Sequence, residues 1–391
     1  MKITAWMITP IVMIVILTGC RKRDTATGTE KSEPDYPVKI ETIEGVKTVL
    51  NPELPKEGVT RYSLQEELSI GGESRGTESL LNRPIYLKLD SQGNIYVMDW
   101  GDVEIKVFSP DGRLLRTIGK KGQGPGEFDV PASFVITVDD QIFLLSGRQY
   151  QISVLDLAGA YLSGFKVEGY CMDLGVDRNH RIYYSQLLPP EPTVTEEYQK
   201  IENKMALFRT DTEGKDRVKL GEYRDFIQLR KMVKSKEGVS SQSATSREAY
   251  KTCWLVGPDD RVYVGYNKDY LLDVYDPDRK LLYRFGRQFT PIQHPDFKPD
   301  RGHPEFYPAF SDWHKFFDEK GDLWLEQYVE EGVEDHVFDV FSPKGIYLRQ
   351  VRVPETLYLV RGDKAYSIIR TEAEYYVVKR FRMVREEGQA S

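Results

Sequence analysis

Residues 84–119 run Pro84-Ile-Tyr-Leu-Lys-Leu-Asp90, Ser-Gln-Gly-Asn94, Ile95-Tyr-Val-Met-Asp99, Ile105-Lys-Val-Phe108, Ser-Pro-Asp-Gly112 and Leu114-Leu-Arg-Thr-Ile-Gly119, with a short link before Ile105. Four stretches rich in aromatic and β-branched residues are separated by Gly, Asp and Pro turn signals, so the unit reads as one four-stranded antiparallel sheet. The order recurs from Phe134 (Asp139, Ile142-Phe143, Ile152-Ser-Val-Leu155) and from Met172 (Asp177, Ile182-Tyr183, Ala206-Leu-Phe208). It returns from Trp254 (Asp259, Val262-Tyr263, Leu272-Asp-Val-Tyr275) and from Lys315 (Asp318, Leu323-Trp324, Phe338-Asp-Val-Phe341). A period of roughly 45 to 60 residues marks a propeller or another repeat array.

A sixth unit starts at Leu357 and has only three strands, Leu357–Gly362, Ala365–Ile369 and Tyr375–Phe381. Leu68-Ser-Ile-Gly71 copies the ending Arg116-Thr-Ile-Gly119 of the first full unit, so residues 62–71 are expected to supply the missing outer strand. Joining the two ends of the chain in this way closes a ring and leaves few open sheet edges. The expected fold is therefore all-β: a six-bladed β-propeller of four-stranded antiparallel blades, its last blade closed by an N-terminal strand.

Lys120-Lys-Gly-Gln-Gly-Pro-Gly-Glu-Phe128, set between Gly119 and Pro131, resembles the interblade signature of NHL-repeat propellers. As a whole, residues 62–384 resemble the six-bladed β-propeller lipoproteins found in many bacteria. The resemblance implies the fold and an envelope location. It leaves the function open, because NHL-like rings serve both binding and catalysis. The glycines of 119–126 lack the Gly-Lys-Ser/Thr ending of a phosphate loop and precede no helical pattern, so they read as a turn between blades.

The first nineteen residues carry one charge, Lys2, and an apolar run ending Ile16-Leu17-Thr18-Gly19 before Cys20. That is a signal-peptide pattern, and Leu17-Thr18-Gly19-Cys20 resembles the lipobox at which a bacterial lipoprotein is cleaved and acylated. A transmembrane anchor is the alternative, but the apolar run falls short of the ~20 residues a span needs. Several acyl chains on Cys20, palmitate among them, would tether the protein stably to a membrane. Arg21 stands where an inner-membrane retention signal would place an aspartate, which favours the outer membrane, facing the periplasm or the surface. Residues 20–58 read as a flexible tether, polar through Pro37, with one short strand expected at Val46–Leu50. The propeller is expected over 59–386, with insertions near 187–204, 223–250 and 287–312. Phe226–Val233 in the second insertion reads as a short helix.

The formal net charge is −7, and removing residues 1–19 takes away only Lys2 and leaves −8. An acidic body argues against nucleic acid, which needs a basic footprint. Hydrophobic content of 40% and aromatic content of 12% supply enough apolar surface for a core of this size.

Propeller ligands commonly sit at one mouth of the central channel. Two-residue alternation along the inner strands brings Tyr86, Asp173, Lys251, Asp312 and His314 toward one such mouth, with Arg83 just before the first strand. Mixed charge and an aromatic surface suit a polar ligand, a sugar or a peptide. An ordinary hydrated channel with paired charges explains the same residues. His294, His303 and His314 are weak metal-ligand candidates, since zinc needs three or four converging donors and no spacing of the His-Glu-x-x-His kind occurs. No Ser/His/Asp set or paired Cys/His is defensible from spacing, so no catalytic residue and no cofactor is assigned, a divalent metal excepted as an alternative. Cys171 and Cys253 lie at similar depth on neighbouring inner strands, which leaves a bridge open. Arg361-Gly362-Asp363 and the acidic tip Glu330–Asp335 sit at tight turns and read as surface features.

The leading functional expectation is a non-catalytic, membrane-anchored binding module for a protein, peptide or glycan of the cell envelope. A metal-dependent hydrolase or lyase working at the channel mouth is the alternative, and a structural subunit of an envelope complex is a third reading.

Overall fold

The computed structural model describes residues 36–72, 79–147, 149–188, 195–235, 238–244, 250–295 and 305–386, with backbone alone at 195–200, 228–235 and 238–244. The leader, Cys20 and His303 lie outside the described residues.

The chain enters as a hairpin, β1 (Lys39–Ile43) and β2 (Val46–Asn51), followed by the long strand β3 (Val59–Gly71). Four strands then form the first blade: β4 (Pro84–Leu89), β5 (Ile95–Asp99), β6 (Glu104–Phe108) and β7 (Leu114–Ile118). The second blade is β8 (Pro131–Ile136), β9 (Gln141–Ser146), β10 (Gln151–Asp156) and β11 (Tyr161–Lys166). The third has five strands, β12 (Cys171–Val176), β13 (Ile182–Leu188), β14 (Thr195–Thr210), β15 (Val218–Ser235) and β16 (Gly238–Ala244). The fourth is β17 (Thr252–Val256), β18 (Val262–Tyr266), β19 (Leu271–Tyr275) and β20 (Leu281–Arg287). The fifth is β21 (Lys315–Phe317), β22 (Leu323–Gln327), β23 (His336–Phe341) and β24 (Tyr347–Val353). The sixth is β25 (Leu359–Arg361), β26 (Lys364–Arg370) and β27 (Tyr376–Arg385), completed by β3. The fold is a six-bladed β-propeller.

Closure of the ring follows the sequence expectation. β3 lies antiparallel to β27 from Val377↔Gly71 to Arg385↔Tyr62. Leu68 and Ile70 on β3 are buried with Tyr366, Ile368 and Val378 of the same blade against Leu81, Leu87, Ile95, Val97 and Phe108 of the first. On the other face of that first blade, Tyr96, Met98, Ile105 and Val107 pack on Phe134, Ile142 and Leu144 of the second. Odd and even positions of one strand thus serve two different interblade cores. Each fully buried side chain contributes about 1.5–3 kcal/mol over leaving it in water.

Two turns repeat around the ring. Between the first and second strands of five blades, residues Gly93, Asp140, His180, Asp260 and Gly321 all take the left-handed conformation. Asp90, Asp177 and Asp318 open three of these turns. In each, one carboxylate oxygen accepts the N–H groups two and four residues on, and the other takes a donor from the aromatic side chain six residues on, Tyr96, Tyr183 or Trp324. In the second blade Thr137 opens the turn instead, and Asp139 reaches across to His180 of the next blade. Between the third and fourth strands the left-handed position is Gly112, Gly159, Gly214, Arg279 and Gly345. In the interblade loop, a Cβ on Gly119 would meet the Phe128 ring at 2.0 Å, so glycine is required both for its φ of +82° and for that aromatic plug.

Two expectations need correction. Residues 39–51 are not a tether: the strand expected at Val46–Leu50 is present as β2, which forms a hairpin with β1 and adds parallel to β20 as a further strand of the fourth blade. Asn51 explains why. Its side-chain N–H groups donate to the carbonyls of Gly286 and Gly345, both at 2.8 Å, and its Oδ1 accepts from Tyr347 N–H at 2.9 Å. Residues 226–233 are not helical either. They belong to β15, which pairs on one edge with β14 as far as Thr195↔Met232 and on the other with β16 from Leu229↔Ala244 to Ser235↔Gly238, so ladder bonds decide the conformation.

Candidate functional site

The innermost strands are β4, β8, β12, β17, β21 and β25, and each of the first three begins with a register shift, at Pro84/Tyr86, Pro131/Ser133 and Cys171/Leu174. A bulge re-aims the side chain beside it. Tyr86, Ser133 and Asp173 occupy the shifted positions, and Tyr86 shares a hydrogen bond with Ser133 of the neighbouring blade.

Around this point the inner strands converge. Lys251, which precedes β17, places its ammonium 2.8 Å from the Asp312 carboxylate, which precedes β21. Lys315 at the start of β21 donates to the Asp312 backbone carbonyl. Asp173 interacts electrostatically with Lys315, Asp312 and Lys251, and Tyr86 with Asp173 and Asp312. Burial is the largest effect on Asp173, Tyr86 and Lys251. It raises the Asp173 carboxyl above the ordinary range, with Asp312 adding to the rise, and it pushes the Tyr86 phenol far up. Lys251 stays above the usual lysine value because Asp312 and Asp225 outweigh its desolvation.

Of the six side chains expected at the mouth, four are therefore brought together: Tyr86, Asp173, Lys251 and Asp312. Arg83 is turned away. Its guanidinium lies 4.6 Å from the centre of the Trp100 ring, while its backbone N–H donates to Asp99.

His314 enters a different cluster. Its Nδ1 bonds to Glu326, whose other oxygen meets His336 Nδ1 at 2.8 Å and accepts from the Thr356 hydroxyl at 2.7 Å. The His314 ring stands edge-on to Tyr358, with centroids 5.0 Å apart. Burial raises the Glu326 carboxyl, but the hydrogen bonds from His314 and His336 outweigh it and bring it down to about 2. His294 is elsewhere, against Tyr307 at 4.6 Å, and Tyr307 stacks on Tyr328. Among the described residues no group of three or more His, Cys, Asp or Glu side chains is arranged to hold a metal ion.

Sequence reasoning missed Asp225, Lys315, Glu326, His336 and Thr356. Glu326 had a signal, since it interrupts the apolar run Leu323-Trp-Leu at a position where the first two blades carry Met98 and Leu145. Asp225 had none, because its importance depends on where the long β14–β15 hairpin meets the start of β17. There the Thr252 hydroxyl donates to the Arg224 carbonyl at 2.6 Å.

Cys171 and Cys253 are free and buried, which answers the question of a bridge. The Arg361-Gly362-Asp363 turn is structural: Arg361 donates to the Asp90 carbonyl and Gly362 N–H to Glu319, which ties the sixth blade to both neighbours. A cleft of about 350 Å³ lies between the third and fourth blades, lined by Arg224, Tyr266, Asp273 and Arg284 among others. Asp273 and Arg284 satisfy one another there, so the cleft offers less unspent polarity than the mouth.

A family model described as DUF5128, a six-bladed β-propeller, matches residues 76–234, the first two blades and most of the third. No curated protein matches. Among solved structures, a member of the DUF4221 family from Bacteroides vulgatus is 9% identical with a TM-score of 0.50, covering 83% of this chain and 99% of its own. A candidate exported protein from Bacteroides fragilis is 10% identical with a TM-score of 0.49, covering 84% and 100%. Virginiamycin B lyase from Staphylococcus aureus is 10% identical with a TM-score of 0.38, covering 84% and 90%. Likeness at this identity speaks to the fold alone.

Proposed function

We propose that the chain is a lipid-anchored, NHL-like propeller of the cell envelope that binds a polar ligand, a protein segment, peptide or glycan, at the channel mouth without catalysing a reaction. The observation that carries this reading is the convergence of Tyr86 and Asp173, on inner strands of the first and third blades, with the ion pair of Lys251 and Asp312, from the segments before the inner strands of the fourth and fifth, beside an aromatic surface. Groups drawn from four blades and held on the inner strands or directly beside them are preorganised for recognition. The β14–β16 extension of the third blade adds a second contact surface, of the kind that carries specificity on a rigid scaffold.

The anchor rests on Leu17-Thr18-Gly19-Cys20 and is tested apart from the ligand. Expression with labelled palmitate should mark the wild-type chain in the membrane fraction and leave a Cys20→Ala chain unlabelled. A labelled Cys20→Ala chain would remove Cys20 as the lipid site. For the ligand, the full-length chain in detergent is screened against glycan and peptide panels and repeated with Lys251→Ala/Asp312→Ala. Binding lost in the double variant supports the mouth. Binding that survives it unchanged places the ligand elsewhere.

A further inference from the structure

The mouth holds more negative charge than its lysines neutralise. Both cations are committed to one residue, Lys251 to the carboxylate of Asp312 and Lys315 to its carbonyl. Lys88, further along β4, is no substitute, because burial and then repulsion from Lys315 push it toward its neutral form. Asp173 is thus left in a low-dielectric setting without a hydrogen-bonded counter-ion of its own among these lysines, and a charge so placed is costly.

Asp225 sharpens the imbalance. Only 1% of it is exposed, and its Oδ2 has no hydrogen-bond partner among the described residues. The Phe226 backbone hydrogen-bonds to its carboxylate, and the side chains that act on its charge are Lys251, Asp173 and Asp312, the same ones that form the mouth. A buried acceptor left open beside a second under-compensated carboxylate is an unusual thing for a fold to keep, since such atoms are nearly always satisfied. Tyr86 stands beside Asp173 and Asp312, and Tyr328 beside Asp312; burial, foremost among the causes, holds both phenols in their neutral form. They offer ring faces and hydroxyls.

The missing partner is a cation, and its type follows from geometry. A divalent metal ion needs several oxygens within a short, fixed radius, and no such group exists among the described residues. An organic ammonium is larger, tolerates spread carboxylates and gains from aromatic faces. We propose that the channel mouth takes a primary ammonium group of its ligand, a peptide amino terminus or an amino sugar, with Asp173 and Asp225 as its counter-charges and Tyr86 as the adjoining aromatic surface. This rests on the reading of the mouth as a binding site and names the ligand chemistry for it.

The test is calorimetric titration of the full-length chain in detergent with glucosamine, triglycine amide, the N-acetylated form of each, and calcium or magnesium chloride. One amine should bind, which identifies the source, and its acetylated form should bind at least tenfold more weakly. Asp173→Asn and Asp225→Asn should each weaken the amine at least tenfold, while Asp363→Asn on an exposed turn leaves it unchanged. Both mouth variants remove an uncompensated charge, so their melting temperatures should equal or exceed that of the wild type, and loss of binding is then not loss of fold. Equal binding of amine and acetylated probe, indifference to either mouth variant, saturable binding of the metal ion, or no binding of either amine would overturn the ammonium assignment. Equal binding that disappears in Lys251→Ala/Asp312→Ala would still leave the mouth as the ligand site.

Discussion

Asn51 Oδ1 accepts the backbone N–H of Tyr347 at 2.9 Å, joining residues 296 positions apart in sequence. The same side chain donates to two buried carbonyls, Gly286 and Gly345, so one amide bridges the fourth and fifth blades through the N-terminal hairpin. Asn51→Ala would strand three buried backbone groups. At about 1 kcal/mol per net bond and more for an unsatisfied group, the loss is on the order of 3 kcal/mol. Urea unfolding should show that loss, while Lys47→Ala at an exposed position of the same strand should shift the midpoint little. Equal stability of the Asn51 variant and the wild type would mean that β2 is not an integral strand.

The Glu326 carboxylate holds His314 and His336 together, and its pKa of about 2 lies below the ordinary value of 4.5. A depressed acid contributes stability that is fully present above its unfolded pKa and is lost as pH falls through the folded one. Glu326→Gln should therefore destabilise at neutral pH by about 2–3 kcal/mol, with the gap to wild type closing between pH 4.5 and 2. Thermal melts at a series of pH values measure this. A gap that persists at its full size below pH 2 would show that the cost comes from packing and not from the charge.

Much of the ring was legible because its information is local. Turn residues recur at fixed offsets, the strand stretches between them recur in the same order in each unit, and Leu68–Gly71 repeats the ending of the first blade closely enough to predict closure. The features that were not legible depend on distant partners. The β1–β2 hairpin is held by carbonyls of Gly286 and Gly345, and Phe226–Val233 is a strand because β14 continues beside it. At the mouth, aligning blades puts Lys251 and Asp312 at equivalent positions, and their ion pair is seen only in the fold. The register shifts in β4, β8 and β12 could not be seen, nor could the turning of Arg83 onto Trp100 and of His314 onto Glu326, which depend on loop paths between blades.

Burial pushes the thiols of Cys171 and Cys253 up to about 12, so neither is a thiolate near neutrality. The thiolate is the reactive form. In a Cys20→Ala chain, a thiol-specific reagent at pH 8 should label neither residue in the native state and both in denaturant, by mass spectrometry. Rapid native labelling of Cys253 would show that the inner strand at the mouth opens on the time scale of the reaction.

The Asp225 carboxyl is raised to about 6, first by burial and further by Asp173 and Asp312, from an ordinary value of 3.8. The sign is opposite to that of Glu326. A raised acid leaves full stability below its unfolded pKa, and stability is lost as pH climbs from about 4 through 6, because the unfolded chain ionises first. The loss is on the order of 2–3 kcal/mol. Asp225→Asn cannot ionise, so above pH 6 it should be the more stable protein by about that amount, with the two curves meeting near pH 4. Chemical denaturation across this range measures the difference. A variant no more stable than wild type at pH 7 would mean that the buried carboxylate already has its counter-charge, and the mouth would then have no excess negative charge to offer a ligand.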